Sequence, residues 1–285
     1  MPVTATPGKL DALTSATLKH VREEWWDNTF TDFLVERLKP RAGNRILDVG
    51  CGIGTAELRL SRLRLSQVTL VGIDWMAERI AIAERTATGH NMRASFAAAD
   101  ARQIPFPDGT FDSTFCVAVL QHISDAEEAL REFVRVTRPG GRLLAVEPDN
   151  AARYWYSSAD AGMKAFAAGR AFFDALAKSR GDVWEPRIGP RLPTLFAKAG
   201  IEPMEVQLFP VSLSRLGPPE AAVWAARKRA IDQEPEAASD PAVRSAGESY
   251  HRALEAYESG ARSAGTGFVE IQSTLLVSVV GQRED

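Results

Sequence analysis

The chain has 285 residues, with 34 Lys and Arg against 37 Asp and Glu and a formal net charge of −3. That near-balance excludes a broadly basic surface, so neither nucleic acid nor an anionic membrane is an expected partner. No apolar run is long enough to span a bilayer and no signal-peptide pattern opens the chain. The two cysteines, Cys51 and Cys116, have no disulfide or metal-ligand spacing. The expectation is therefore a cytoplasmic protein without a bound metal.

In chain order, residues 1–40 read as an N-terminal helical lid, with helices over 8–38 and the aromatics Trp25, Trp26, Phe30 and Phe33. Residues 41–285 read as a single domain with helical inserts at about 151–185 and 215–264. Strands are predicted over 46–49, 68–73, 94–99, 111–119 and 142–147. Helices over 55–65, 76–86 and 125–136 alternate with them, the signature of a parallel sheet covered on both faces. Pro139-Gly140-Gly141 breaks the last of these helices. Beyond 150 the pattern predicts a helix over 151–185, a short helix over 192–199 and a strand over 202–211. Charged, Ala-rich helices over 218–262 follow, then a β-branched final strand over 267–281. The basic run Arg227-Lys-Arg229 has acidic neighbours and reads as a solvated face.

The first strand runs into Asp48-Val-Gly50-Cys-Gly52-Ile-Gly54-Thr55, and the second ends at Asp74. Strand, glycine-rich turn, helix, strand, carboxylate is a layout for a nucleoside-bearing cofactor. Glycines admit the ligand close to the main chain, and the carboxylate at Asp74 suits a ribose diol. Dinucleotide binders want G-x-G-x-x-G at this turn, whereas here the spacing is Gly50-x-Gly52-x-Gly54.

Five motifs stand in order: Leu47-Asp-Val-Gly-Cys-Gly-Ile-Gly54, Gly72-Ile-Asp74, Ala99-Asp100-Ala101, Ile104-Pro-Phe-Pro-Asp-Gly-Thr-Phe-Asp112 and Arg138-Pro-Gly-Gly-Arg142. Together they resemble the class I S-adenosylmethionine-dependent methyltransferases of the small-molecule type, strongly over 41–148 and weakly over the last two strands. The resemblance implies an α/β, Rossmann-like, doubly wound sheet of seven mostly parallel strands with an antiparallel last strand. It implies S-adenosylmethionine as cofactor, S-adenosylhomocysteine as product and a small-molecule methyl acceptor, in a monomer or homodimer.

By the same resemblance, Gly50, Cys51 and Gly52 pass under the methionine part, and Asp48 holds its ammonium side. Asp74 holds the ribose, and Trp75 and Met76 pack on the adenine. Asp100 and the Ala101 amide read the adenine edge, and Cys116 and Val117 lie near the methyl. Each position also has a plain structural reading: a helix cap for Asp48 and Asp100, packing for Trp75, an ordered loop histidine for His122. Catalytic candidates at the strand ends are His122, Glu147 and Asp149, the last two being equally suited to cap a helix after residue 150. Trp26, Arg153, Tyr154 and Tyr156 are candidate substrate contacts. Two rivals stay open: a nicotinamide-dependent oxidoreductase, and a non-catalytic protein that binds S-adenosylmethionine.

Overall fold

The computed structural model describes residue 13 and residues 26–63, 67–181 and 185–284. These residues form a seven-stranded sheet of order β3-β2-β1-β4-β5-β7-β6. The strands are β1 (Arg45–Val49), β2 (Thr69–Asp74), β3 (Ala94–Ala98), β4 (Phe111–Val117), β5 (Thr137–Ser157), β6 (Ile201–Leu216) and β7 (Val269–Arg283). The helices are α1 (Asn28–Leu38), α2 (Thr55–Arg62), α3 (Ala77–His90), α4 (Ala126–Val136), α5 (Ala161–Arg180), α6 (Ile188–Lys198), α7 (Ala221–Asp232), α8 (Pro235–Ser239) and α9 (Pro241–Ala264). By contact density the chain divides into two units.

The first unit comprises Trp26–Asp149, Val183–Phe209 and Leu276–Asp285. Its strands β1 to β5 are parallel neighbours, with Asp48 paired to Gly72 and Gly72 to Phe96. Partners in a parallel register project to the same face, so these three residues form one row. The alternate positions Leu47, Val49, Val71, Ile73, Leu143 and Ala145 join Leu130 and Phe133 of α4 and Leu192 and Phe196 of α6 in one core. Near-continuous apolar strands are what a sheet buried on both faces requires. Caps set the helix starts: Asp27 Oδ1 accepts from the Phe30 amide at 2.8 Å, and Asp125 Oδ1 from the Glu128 amide at 2.9 Å.

α1 packs within this unit through aromatic rings. Trp26 meets Phe30 edge-on at 5.0 Å, and Phe30 and Phe33 both contact Phe209 of β6. The Arg37 guanidinium lies 3.7 Å over the Phe33 ring and also bonds Glu205. Trp26, just before α1, and Phe30, within it, are thus buried side chains. Trp25 and most of the expected lid lie outside the described residues.

The second unit holds Asn150–Asp182 and Pro210–Leu275. Its core is aromatic: Trp155, Phe172, Phe173, Trp224, Tyr250, Tyr257 and Phe268. Small residues let helices α5 and α9 approach, since a Cβ at Gly169 would stand 2.9 Å from the Tyr250 ring. Glu270 is wholly buried and accepts both Arg227 Nη2 contacts, at 2.7 and 2.8 Å, and the Tyr257 hydroxyl at 2.7 Å. Arg227 is therefore an interior side chain, contrary to the solvated face expected from its charged neighbours. Composition around a helix position cannot show a buried carboxylate arriving from a distant strand.

A second correction concerns the segment after β5. Residues 151–157 continue that strand, and the helix begins only at Ala161. Tyr154 exposed, Trp155 buried and Tyr156 exposed is a period-two pattern. Clustered aromatics favour a strand there over a helix. The N-cap residue of α5 is Asp160, so neither Glu147 nor Asp149 stands at the start of that helix.

Candidate active site

The first unit gathers the predicted motif residues at the carboxyl ends of β1, β2 and β4. All three turn glycines have positive φ: Gly50 at 76°, Gly52 at 59° and Gly54 at 81°. The Gly50 and Cys51 amides both donate to the Ile73 carbonyl, at 2.7 and 2.9 Å. Asp74, 4% exposed, closes the turn: its Oδ2 accepts from the Gly52 amide at 3.0 Å and its Oδ1 from the Met76 amide at 3.0 Å. A carboxylate has about four acceptor sites, so two amides do not exhaust it. Asp48 is buried one strand away. Trp75 is 77% exposed and Met76 half-buried at the start of α3.

Under the turn lies a group that motif reading passes over. A side chain on Gly72 would meet Cys51 Sγ and Glu57 Oε1, each 2.8 Å from its Cβ. Those two groups and the Phe96 ring, whose Cδ1 would stand 2.7 Å away, fill the space that glycine leaves. Glu57 is 1% exposed, and among the described residues neither carboxyl oxygen has a hydrogen-bond partner. Burial pushes its pKa up to about 8, so it is mostly protonated at neutral pH. The sequence does hold a signal for Glu57. It sits beside Ala56 and three residues before Leu60, both on the buried face of α2.

Beyond β3, Asp100 is held by Arg102, whose Nη2 approaches Oδ2 at 2.7 Å and whose backbone amide donates to Oδ1 at 2.8 Å. Those bonds to Arg102 hold its carboxyl below the usual range. Ala101, next along, is half-buried.

At the end of β4, Cys116 and Val117 are buried and Ala118 takes φ 54°. A left-handed L-residue costs ~1 kcal/mol, so the turn needs a compensating hold. β5 supplies it twice: the Val146 carbonyl accepts from the Ala118 amide at 2.8 Å, and Glu147 Oε1 accepts from the Val119 amide at 2.7 Å and from the Leu120 amide at 2.8 Å. His122 follows, exposed, at the end of a single 3₁₀ turn, Leu120–His122. Asp149 is half-buried on β5.

Arg153, Tyr154 and Tyr156 belong to the second unit. Both tyrosines are exposed. Arg153 Nη2 donates to Asn150 Oδ1 at 3.1 Å, and burial, with Arg170 nearby, pushes its pKa down to about 10. Among the described residues no cluster of three His, Cys, Asp or Glu is placed to hold a metal, and no helix is long and apolar enough to cross a membrane.

The chain is similar to known proteins. Residues 47–145 match the family model described as "Methyltransferase domain". A demethylmenaquinone methyltransferase from Thermus thermophilus is 37% identical over 122 residues, 43% of this chain and 53% of that protein. A 27-O-demethylrifamycin SV methyltransferase from Amycolatopsis mediterranei is 34% identical over 146 residues, 47% of this chain and 52% of that protein. The chain thus spans about half the length of these relatives. In fold it is similar to the crystal structure of the YcgJ protein from Bacillus subtilis, with TM-score 0.56 and 20% identity over 91% of this chain and 100% of that one.

Proposed function

We propose that the chain, matched over residues 47–145 by the methyltransferase-domain model, is a class I S-adenosylmethionine-dependent methyltransferase that methylates an O, N or C nucleophile of a small-molecule metabolite. The observation that carries the reading is the Asp74 carboxylate closing the glycine turn through the Gly52 amide at 3.0 Å. That bond brings a buried anionic acceptor and the largely buried glycine turn together at the ends of β1 and β2.

The residues present fit S-adenosylmethionine. That cofactor carries a sulfonium, an ammonium and a ribose diol, and it has no phosphate. Two buried carboxylates, Asp48 and Asp74, suit those cations and hydroxyls. When bound, the cofactor supplies an electrophilic methyl group on a positively charged sulfur. In this reading Asp48 holds the ammonium side and Asp74 the ribose. Trp75 and Met76 flank the adenine, and Cys116 and Val117 border the reacting methyl. Asp100 and the Ala101 amide meet the adenine edge, with Asp100 sharing its carboxylate between that edge and Arg102.

The chain's own work is alignment and exclusion of water, because the leaving group is already good. A base is needed only for an acceptor that starts protonated, and His122 and Asp149 are the side chains proposed for that task. Choice of acceptor is assigned to the inserted segments, with Arg153, Tyr154 and Tyr156 as proposed contacts. A small-molecule acceptor is supported by the two curated relatives, named for a demethylmenaquinone and a demethylrifamycin, and by the near-neutral charge balance.

Calorimetric titration with S-adenosylmethionine, S-adenosylhomocysteine and the nicotinamide dinucleotides tests the reading. Micromolar binding of the sulfur nucleosides is expected, followed by S-adenosylhomocysteine release with a small-molecule acceptor library. Binding of a dinucleotide alone sinks the proposal. Cofactor binding with no turnover on any acceptor favours the non-catalytic rival.

A further inference from the structure

We propose that Glu147 is a positioning residue: its carboxylate pins the turn after β4 and, through Val119, sets the seat of the glycine turn that receives the cofactor. The inference rests on the functional reading above for its cofactor, and on geometry alone for the coupling between the two turns.

The first link is Glu147 to the turn. Ala118 is an L-residue at φ 54°, a costly conformation, and its own amide donates to the Val146 carbonyl at 2.8 Å. The next two amides, of Val119 and Leu120, converge on one oxygen, Glu147 Oε1, at 2.7 and 2.8 Å. Glu147 is wholly buried, so bulk water does not compete for those amides. Cys116 Sγ lies 3.9 Å from the same oxygen.

The second link is Val119 to Gly50. A Cβ on Gly50 would stand 2.4 Å from Val119 Cγ2 and 2.9 Å from Cγ1. The isopropyl group therefore occupies the space that a side chain on Gly50 would take. Gly50 is in turn tied to β2 through the Ile73 carbonyl. Moving Val119 removes the wall against which the glycine turn rests.

The same geometry argues against Glu147 as a proton acceptor. Its Oε1 is already taken by two main-chain donors. Its role needs an acceptor atom at Oε1 and needs no charge transfer. Glutamine keeps an oxygen at that place, and alanine does not.

The test compares Glu147→Gln, Glu147→Ala and Val119→Ala with the parent chain. Two readouts are taken: amide hydrogen exchange without ligand over 50–54 and 118–122, and calorimetric binding of S-adenosylhomocysteine. Glu147→Ala is expected to speed exchange in both segments and weaken binding about tenfold or more, while Glu147→Gln stays within about threefold of the parent in both. Val119→Ala should loosen 50–54 while 118–122 stays protected. If Glu147→Ala does not fold, Glu147→Gln and Val119→Ala still decide the matter. Equal losses in the Gln and Ala variants overturn the proposal. So does unchanged exchange over 50–54 in both Glu147→Ala and Val119→Ala. A parent chain that binds no S-adenosylhomocysteine defeats the functional reading, and the exchange data still judge the coupling.

Discussion

The Gly52 amide donates to Asp74 Oδ2 at 3.0 Å, so the residue that ends β2 also closes the turn that ends β1. One buried carboxylate thereby serves the fold and the proposed ribose site. Removing it opens the turn and deletes the ligand's acceptor together.

Asp74→Ala should weaken S-adenosylhomocysteine binding about 10- to 100-fold, since a hydrogen bond to a charged group contributes ~1.5–3 kcal/mol. Asp74→Asn keeps one acceptor oxygen and should fall between that variant and the parent. Calorimetry on all three chains checks the order. Equal affinity in the alanine variant would remove Asp74 from the site.

Glu57 links stability to pH. Its folded pKa is raised to about 8 from 4.5, so folding favours the neutral acid. The contribution is full below pH 4.5 and is lost as pH rises towards and through 8. At full size it is ~3–5 kcal/mol. Glu57→Gln cannot ionise, so urea unfolding at pH 5 and pH 9 should show a smaller drop in stability for the variant than for the parent. Identical drops in the two chains would contradict the buried acid.

Gly72→Ala should destabilise the first unit by ~1–3 kcal/mol through overpacking. The new methyl would meet Cys51 Sγ and Glu57 Oε1 at 2.8 Å. Denaturant unfolding measures it. A neutral result would mean that those side chains give way freely.

Arg227→Ala removes from the buried Glu270 the nitrogen, Nη2, that meets both its oxygens, and leaves Arg215 Nε 3.2 Å from Oε1. A loss of ~1.5–3 kcal/mol is expected, the size of a hydrogen bond to a charged group, read as a lower urea midpoint. Because Glu270 lies in the second unit, cofactor binding by the fraction that stays folded should hold near parental affinity. A loss below 1 kcal/mol would show that the pair is worth no more than a surface ion pair.

Much of this protein is written locally. The alternation of short apolar strands with helices over 45–147, the glycine turn and the acid at the end of β2 all depend on neighbours within a few residues. Period, turn chemistry and spacing record those requirements directly, and the observed strands β1 to β4 lie close to their expected bounds. Tertiary structure decided the rest. Continuation of β5 through Trp155 depends on which face of that segment is covered. The interior place of Arg227 depends on Glu270, 43 residues along the chain. The roles of Glu57, Val119 and Glu147 come from the close approach of α2 to Gly72, of the β4 turn to Gly50 and of β5 to that turn. Each is a contact between distant segments. Buried polar groups take their meaning from the partners that packing brings to them, and no local pattern carries that information.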